Sequence, residues 1–185
     1  MRHVLTIRAA RPEETGQLAA LAAATFPLAC PPDLDNEDIE AFIAEKLSTA
    51  NFSHFIASPA TVVLVADRDD FIVGYSLLDL SEPPSTVRAM LGTGRAIEVG
   101  KFFLAASEHG QGTGVDLMRS VKRYAQEDGA KWLWLGVSRQ NHRANRFYEK
   151  HGFHCVGTRP FAVGRSIFPN DYVLAASTTA GTQPS

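Results

Sequence analysis

Cysteine is scarce in this chain of 185 residues, which contains only Cys30 and Cys155. Two cysteines so far apart provide neither a disulfide framework nor the spacing of a metal site, and we expect Cys155 to be buried and unreactive. Long hydrophobic runs are also missing, and the N-terminus lacks the apolar core of a signal peptide. We therefore expect a cytoplasmic protein without a bound metal and without a membrane partner.

An excess of charge of either sign is also absent. The chain has 18 basic and 20 acidic side chains, for a net charge of −2. A surface that binds nucleic acid over much of its area is normally basic, so nucleic acid is not an expected partner. The length and a hydrophobic content of 45% predict one globular domain over residues 1–176 and a disordered tail over residues 177–185.

The pattern of apolar residues predicts a mixed α/β (α+β) domain with the element order β-α-α-β-β-β-α-β-α-β-β. Residues 81–95, which contain two prolines, are predicted to be a loop. The apolar strand at 131–137 is expected to be covered on both faces. The expected strands are 3–8, 61–66, 71–80, 96–106, 131–137, 153–164 and 169–175, and the expected helices begin at residues 11, 35, 110 and 141.

Three glycines alternate in residues 109–114, which read His-Gly-Gln-Gly-Thr-Gly between an apolar run and a segment of helical period. Glycine lets the backbone approach an anion closely, and the first amides of a helix have no partner within it. The loop therefore predicts main-chain binding of a phosphate. A flexible turn before a helix is the alternative, and the spacing fits neither the Walker loop nor the dinucleotide fingerprint.

Residues 141–153 form a second motif and read Asn-His-Arg-Ala-Asn-Arg-Phe-Tyr-Glu-Lys-His-Gly-Phe. Together with the glycine loop, this motif resembles the signature of the GNAT superfamily of acetyl-CoA-dependent N-acetyltransferases. That signature is Arg/Gln-x-x-Gly-x-Gly/Ala after the fourth strand and Asn-x-x-Ala-x-x-Phe-Tyr-x-x-x-Gly-Phe after the fifth. Within the superfamily, the chain looks most like the bacterial polyamine-acetylating (PaiA-type) subgroup. This finer resemblance is carried by the pair Thr25-Phe26, the strand end at 135–137 and the closing segment 170–174.

The resemblance implies a fold and a reaction. The fold would be a GNAT-like mixed, mostly antiparallel sheet of about seven strands flanked by about four helices, with a splay between strands 4 and 5. Acetyl-CoA would be the co-substrate, and a small-molecule primary amine, including a polyamine, would attack it directly in a ternary complex. A protein lysine or N-terminal amine is the alternative acceptor, favoured by a short ordered loop at 81–95. A non-catalytic acetyl-CoA-binding module is the third possibility.

The resemblance also implies which residues bind the coenzyme. The main chain of Phe103, Leu104 and Ala105 would position the thioester and its developing oxyanion. Asn141 would contact the coenzyme, although it could also be only a helix N-cap, and these two roles are compatible. The coenzyme's pyrophosphate would be held by the loop residues His109, Gly110, Gln111, Gly112, Thr113 and Gly114.

Two side chains are implied as catalytic. Tyr148 would contact the coenzyme and protonate the departing thiolate. The alternative for Tyr148 is an amphipathic core residue. Glu98 would remove the amine's proton directly or through water. Its alternative is an ordinary carboxylate at a strand edge.

The loop departs from the family pattern at His109, where Arg or Gln is usual. The charge of an imidazole depends on pH, so we expect coenzyme binding above neutral pH to be weaker than in a His109→Arg variant. Five acids at Asp33, Asp35, Glu37, Asp38 and Glu40 would suit a cationic acceptor if they line its groove. Their alternative is a favourable interaction with a helix dipole. Hydrophobic edge strands also predict a homodimer.

Overall fold

The structure is a computed structural model, which describes residues 4–179. Its seven strands form one sheet in the order β1-β2-β3-β4-β5-β7-β6. Neighbouring strands are antiparallel, except that β4 and β5 run parallel. The strands are β1 (Leu5–Ala9), β2 (Thr61–Arg68), β3 (Phe71–Asp79), β4 (Ala96–Leu104), β5 (Trp132–Val137), β6 (His154–Val163) and β7 (Ser166–Ser177).

Six α-helices occur among the described residues, where about four were predicted. Two short helices were missed: one follows the second predicted helix directly, and the other lies within the predicted loop 81–95. The helices are α1 (Thr15–Thr25), α2 (Asn36–Lys46), α3 (Thr49–Ala57), α4 (Ser85–Leu91), α5 (Thr113–Glu127) and α6 (His142–Lys150).

Local sequence signals explain both missed helices. Ser48 and Asn51 form a reciprocal capping box at the start of α3, with amide-to-side-chain distances of 3.3 and 3.0 Å. Helix α4 follows directly after Pro84 and is followed by Gly92, whose φ of +77° is left-handed. The loop prediction for 81–95 was therefore wrong at its centre, because a helix of 7 residues is too short to show a periodic pattern.

The sheet is covered on both faces, which accounts for the apolar pattern of its central strands. Helices α5 and α6 pack on one face, where Leu117 and Met118 of α5 are fully buried against strand residues. Helices α1, α2 and α3 cover the first strands of the other face, and α4 covers its far end. The prediction that β5 is covered on both faces is confirmed, since Leu133, Trp134 and Leu135 are all buried.

The ends of the chain and its cysteines differ from the predictions in two places. Strand β7 continues to Ser177, and the amide of Thr178 donates to the carbonyl of Lys131 over 3.0 Å. Order therefore extends past the predicted domain end at 176, while residues 180–185 of the predicted tail lie outside the described residues. Cys155 is exposed rather than buried, because it lies on the edge strand β6. No helix within residues 4–179 is long and apolar enough to cross a membrane.

The sheet opens between β4 and β5. These two strands pair only at Ala96, Ile97 and Glu98, which face Trp132, Leu133 and Trp134. Beyond Glu98, β4 follows β3 while β5 follows β7. A bulge at Gly100 adds to the divergence, because Val99 and Lys101 face consecutive residues of β3. The predicted splay between strands 4 and 5 is confirmed, and Glu98 lies at its apex.

Candidate active site

A cavity of about 210 Å³ lies in the opening between β4 and β5. It is bounded by β4, the end of β5, α6, the segment after α1, and the hairpin of β6 and β7. Four residues named from the sequence line it together: Glu98, Phe103, Asn141 and Tyr148. The remaining predicted coenzyme residues do not line this cavity and lie along the continuing chain from Leu104 to Gly114.

Glu98 is the acid at the apex of the splay, and its side chain is 24% exposed. Burial raises the pKa of its carboxyl group, and the charge of Asp79 acts in the same direction. The Arg159 guanidinium opposes these effects, with Nη2 lying 3.4 Å from Glu98 Oε1. A carboxylate with a raised pKa is a stronger base than an ordinary glutamate, so Glu98 can accept a proton inside the cavity.

Tyr148 faces the cavity from α6. Its ring is packed against Phe102, Phe147 and Phe153, with ring centroids 5.5 to 6.2 Å apart. Burial raises the pKa of the phenol, so that Tyr148 keeps its proton at neutral pH. The helix that carries it begins at Asn141, whose side chain accepts the amide of Ala144 over 3.1 Å. Asn141 is therefore the predicted N-cap, and it also lines the cavity.

The main chain of β4 differs in part from the prediction. The Ala105 amide donates to the carbonyl of Val73 over 2.8 Å, and its carbonyl accepts the amide of Glu108 over 2.9 Å. The Ala105 amide is therefore not available as an oxyanion donor, and the role of the main chain at 103–105 in positioning the thioester stays a prediction. Because amide directions alternate along an antiparallel strand, Phe103 also directs its amide to β3, whereas Leu104 and Phe102 direct theirs into the splay. Phe103 contributes its ring to the cavity wall instead.

The glycine loop has the conformation that an anion site requires. Gly110 and Gly112 have φ values of +80° and +87°, which a residue with a side chain rarely adopts. Within residues 4–179, no protein acceptor bonds the amides of Gly110, Gly112, Thr113 and Gly114. Gly114 instead allows the start of α5 to pack closely on the end of β4, since a Cβ there would lie 3.1 Å from the Leu104 side chain. These free amides at the start of α5 fit the pyrophosphate of coenzyme A.

A partly buried ion pair holds this loop, and sequence reasoning missed it. Arg68, at the end of β2, donates to both carboxylate oxygens of Glu108 over 3.1 and 2.8 Å. Glu108 also accepts the hydroxyl of Thr113, the first residue of α5. The hydrogen bond from Arg68 holds the pKa of Glu108 below its ordinary value. No spacing rule links these residues, because 40 positions separate Arg68 from Glu108.

We expect Glu108→Gln to weaken coenzyme A binding about 10-fold, because a charge-assisted hydrogen bond is lost and the loop relaxes. Calorimetric titration of coenzyme A measures this effect. Because the pKa of Glu108 is lowered, Glu108 is fully ionised above the ordinary glutamate pKa. Its interaction with Arg68 is lost only as the pH falls through the lowered value. The difference between wild type and variant is therefore constant from pH 6 to 8. Glu127→Gln, at the end of α5, is the control, and equal dissociation constants for all three proteins would contradict the role of this ion pair in holding the loop.

Arg143 lies beside the loop position that departs from the family pattern. Its Nη1 is 2.9 Å from His109 Nδ1. Since a guanidinium can only donate, Arg143 is the donor in this contact. Arg143 therefore places a permanent cation next to His109. The sequence showed Arg143 within the second motif but not its proximity to the loop.

We expect coenzyme A affinity to decline above neutral pH more strongly in Arg143→Gln than in the wild type, by about 3-fold at pH 8. Arg143 stays charged at every pH, whereas His109 supplies a cation only when it is protonated. Titrations of wild type, Arg143→Gln and His109→Arg from pH 6 to 8 measure the effect. Parallel curves for all three proteins would contradict both this expectation and the pH dependence expected for His109.

The acidic stretch of residues 33–40 does not line the cavity. Asp35 caps α2 by accepting the Glu37 amide over 3.0 Å, and Asp38 lies 3.4 Å from the amide of Arg165 in the hairpin of β6 and β7. The hypothesis of an acidic wall is therefore not supported by this cavity, and the position of Asp35 at the N-terminus of α2 agrees with the alternative, a favourable interaction with the helix dipole. The charged residues that do line the cavity are Glu98, Lys101, Arg159 and Asp171.

Three of these four charged residues were not predicted, and their positions explain why. Lys101 and Glu98 lie on one strand, but Arg159 and Asp171 come from the far hairpin. Burial lowers the pKa of Lys101 and raises that of Asp171. Among residues 4–179, no group of three or more His, Cys, Asp or Glu side chains has the arrangement of a metal site.

Comparison with known proteins identifies the family. The model of the Acetyltransferase (GNAT) family matches residues 23–153, which is well over half of the chain. The chain belongs to the GNAT acetyltransferase family. This GNAT protein is 40% identical over 161 residues to an uncharacterized N-acetyltransferase of Mycobacterium tuberculosis, a match that covers 87% of this chain and 96% of the relative.

Solved structures share the GNAT fold with this chain. The PaiA N-acetyltransferase of Thermoplasma acidophilum, solved with coenzyme A, has a TM-score of 0.76 at 19% identity and covers 94% of this chain and 99% of its own. The ribosomal-protein-S18-alanine N-acetyltransferase of Escherichia coli has a TM-score of 0.67 at 15% identity, with coverages of 98% and 99%. Such identities show the fold alone. The family match and the curated relative confirm the prediction of an N-acetyltransferase.

Proposed function

We propose that this GNAT protein transfers the acetyl group of acetyl-CoA to a primary amine of a small molecule, by direct attack within a ternary complex. Two features carry the proposal: Glu98 and Tyr148 line one opening in the sheet, and β4, which forms a side of that opening, leads into the loop with free amides. The loop amides at 110–114 stand at one end, Tyr148 lies along the wall, and Glu98 lies at the apex of the splay. The coenzyme A complex of the Thermoplasma acidophilum protein supports acetyl-CoA as the co-substrate.

Each protein group has one step to perform. Glu98 takes a proton from the ammonium form of the acceptor, directly or through water, because only the free amine is a nucleophile. The main-chain amides of Leu104 and Phe102, directed into the splay, stabilise charge on the carbonyl oxygen while nitrogen attacks the acetyl carbon. The carbon–sulfur bond then breaks, and Tyr148 gives its phenolic proton to the departing thiolate. The attacking nitrogen loses its second proton to water, and water returns a proton to the Tyr148 phenolate. Acetyl-CoA supplies the activated acyl group throughout.

The alternative acceptors differ in how well the cavity suits them. A polyamine, the acceptor implied by the PaiA-type subgroup, is supported by the resemblance and by the shared fold. The acids that favoured a polycation nevertheless lie outside the cavity. The segment 81–95 is ordered around α4, which was the condition that favours a protein acceptor, but none of its residues lines the cavity. A protein acceptor needs an open groove, whereas the hairpin of β6 and β7 borders the cavity. A small molecule therefore has the stronger support.

The test is release of free coenzyme A thiol from acetyl-CoA in the presence of a panel of amines, including spermidine and a lysine peptide. We expect release to require both the protein and an amine, and to increase with amine concentration to saturation. Binding of acetyl-CoA without thiol release for any amine would contradict the proposal and favour a non-catalytic binding module. Mass spectrometry of the product distinguishes an acetylated small molecule from an acetylated peptide.

Two further proposals concern the setting of the reaction. We propose a cytoplasmic enzyme, supported by the free thiols of Cys30 and Cys155. We also propose a homodimer through an edge of the sheet, whose outer strands are β1 and β6. Ile167, which is 68% exposed on the neighbouring strand β7, supports this choice. Light scattering during gel filtration tests it, and a monomer at micromolar concentration would contradict it.

A further inference from the structure

The wall of the cavity opposite α6 is aromatic. The rings of Phe26 and Phe42 stack with centroids 4.5 Å apart, and Phe161 contacts Phe42 with centroids 6.5 Å apart. Phe103 and Phe168 belong to the same lining. Such a surface gains free energy by covering an apolar group, whereas a chain of ammonium groups would lose hydration there. The aromatic wall therefore favours an acceptor molecule that carries an apolar group.

The hairpin of β6 and β7 closes this aromatic wall against α2. Val163, just before the hairpin turn, is buried in the core beneath α1, α2 and α3. At the turn, a Cβ on Gly164 would lie 2.2 Å from an Asp38 carboxylate oxygen, so the glycine permits the close approach of the two elements. The resulting cavity of about 210 Å³ lies below the range of about 300–1,000 Å³ that is typical for drug-sized ligands. A compact acceptor fits it better than an oligosaccharide or a folded peptide segment.

Arg159 is a cation held in place at the edge of this wall. Its guanidinium carbon lies 5.1 Å from the centroid of the Trp134 ring. A Cβ on Gly136 would lie 2.8 Å from Arg159 Nη2, so that glycine makes the position possible. Among the described residues, Glu98 is its one hydrogen-bond partner. The planar fork of N–H donors is thus positioned beside the cavity with capacity for a further carboxylate.

The charges of the cavity are balanced and close together. Two acids, Glu98 and Asp171, face two bases, Lys101 and Arg159. A polycation would approach two like charges, whereas a zwitterion finds a partner for each of its own charges. Because Arg159 Nη2 is 3.4 Å from Glu98 Oε1, the amine and the anionic group of the acceptor must also be neighbours. An amine and a carboxylate joined through one carbon satisfy this requirement.

We propose that the acceptor is a free α-amino acid with an apolar side chain. Arg159 binds its carboxylate, Glu98 faces its amine, and the rings of Phe42 and Phe161 cover its side chain. This inference rests on the proposed acetyltransferase function and names the acceptor class for the same site. Arg159 is then a specificity-determining residue that contacts the substrate.

The experiment compares matched acceptors in the thiol-release assay with saturating acetyl-CoA. L-leucine and L-phenylalanine are compared with 3-methylbutylamine and 2-phenylethylamine, which lack only the carboxylate, and with spermidine. We expect kcat/KM for each amino acid to exceed that of its matched amine at least about 10-fold, the value of one charge-assisted hydrogen bond. Free glycine as acceptor tests the contribution of the apolar side chain, and we expect its KM to exceed that of L-leucine at least about 10-fold.

The Arg159→Gln variant tests whether Arg159 binds the carboxylate of the acceptor. We expect the ratio of kcat/KM for L-leucine to that for 3-methylbutylamine to fall about 10- to 100-fold. A role exerted only through Glu98 would lower both values together and leave this ratio unchanged. Arg159→Lys keeps the charge but loses the fork, and we expect an intermediate ratio. The control is Arg119→Gln on the exposed face of α5, where Arg119 pairs with Asp116.

The outcomes separate this inference from the proposed function. Thiol release with matched amines or spermidine at a kcat/KM equal to or above that of the amino acids would overturn the amino-acid assignment and leave the acetyltransferase proposal intact. An unchanged ratio in both Arg159 variants would overturn the role of Arg159. No release with any amine would overturn the proposed function itself. Melting temperatures of each variant ensure that the comparison is between folded proteins.

Discussion

We expect Glu98→Gln to lower kcat/KM for the acceptor about 100-fold at pH 7, in the range that general-base catalysis contributes. Glutamine keeps the shape of the side chain but cannot accept a proton from the amine. The raised pKa of Glu98 gives this effect a pH signature. The carboxylate form is lost as pH falls through the raised value, so the wild-type rate declines at a higher pH than the ordinary glutamate value of about 4.3. The variant lacks this decline.

A pH profile of kcat/KM from 5 to 9 measures both effects of the Glu98 substitution. Glu82→Gln is the control, because Glu82 lies on the surface and pairs with Arg88 outside the cavity. A variant within about 3-fold of the wild type at every pH would show that Glu98 is a structural carboxylate, the alternative for this residue. Proton loss would then pass through water without Glu98.

We expect Tyr148→Phe to lower kcat about 100-fold while the KM for acetyl-CoA changes by less than about 3-fold. The substitution removes one oxygen and leaves the ring between Phe102, Phe147 and Phe153. Its hydroxyl makes no hydrogen bond to the protein within residues 4–179, so no protein partner is left unsatisfied. The loss in kcat therefore reports the missing proton for the thiolate.

Steady-state kinetics with varied acetyl-CoA separate the two constants for Tyr148→Phe. Tyr124→Phe is a matched control, since Tyr124 lies on α5 and packs against the same core cluster without lining the cavity. An unchanged kcat would assign Tyr148 to packing alone. A thioester with a more acidic thiol as leaving group tests the reason directly, because its departure needs less help from an acid and the variant's deficit should shrink.

Short motifs predicted the local backbone geometry of the glycine loop and of the start of α6, because that geometry depends on neighbouring residues. Gly110 and Gly112 have the positive φ that a loop of alternating glycines indicates. Asn141 caps α6 as its place before a helical segment suggested. Glu98 and Tyr148 line one cavity, and the resemblance to the GNAT superfamily implied that both belong to the site. Each of these features depends on residues within a few positions of one another, or on one family pattern.

Local sequence could not predict the acceptor side, because it is assembled from distant segments. Phe26, Phe42 and Phe161 come from three separate elements, and each alone is an ordinary apolar residue. The Ala105 amide is not available as an oxyanion donor because β3 occupies it. Whether the acids of 33–40 line the groove or lie at a helix N-terminus was left open by the sequence, because the direction in which α2 presents them depends on how α2 packs.

Sequence alone predicted the strand pattern, the loop of alternating glycines at the start of α5, and the two motifs that resemble the GNAT signature. These features follow from backbone preferences and from spacing along the chain, which packing does not alter. Only the tertiary structure decided what stands opposite Glu98. Arg159 lies on the edge strand β6, on the far side of β7 from β5. Its guanidinium reaches Glu98 because Gly136, at the end of β5, leaves room for it. The charge and shape of the acceptor cavity are therefore properties of the assembled sheet.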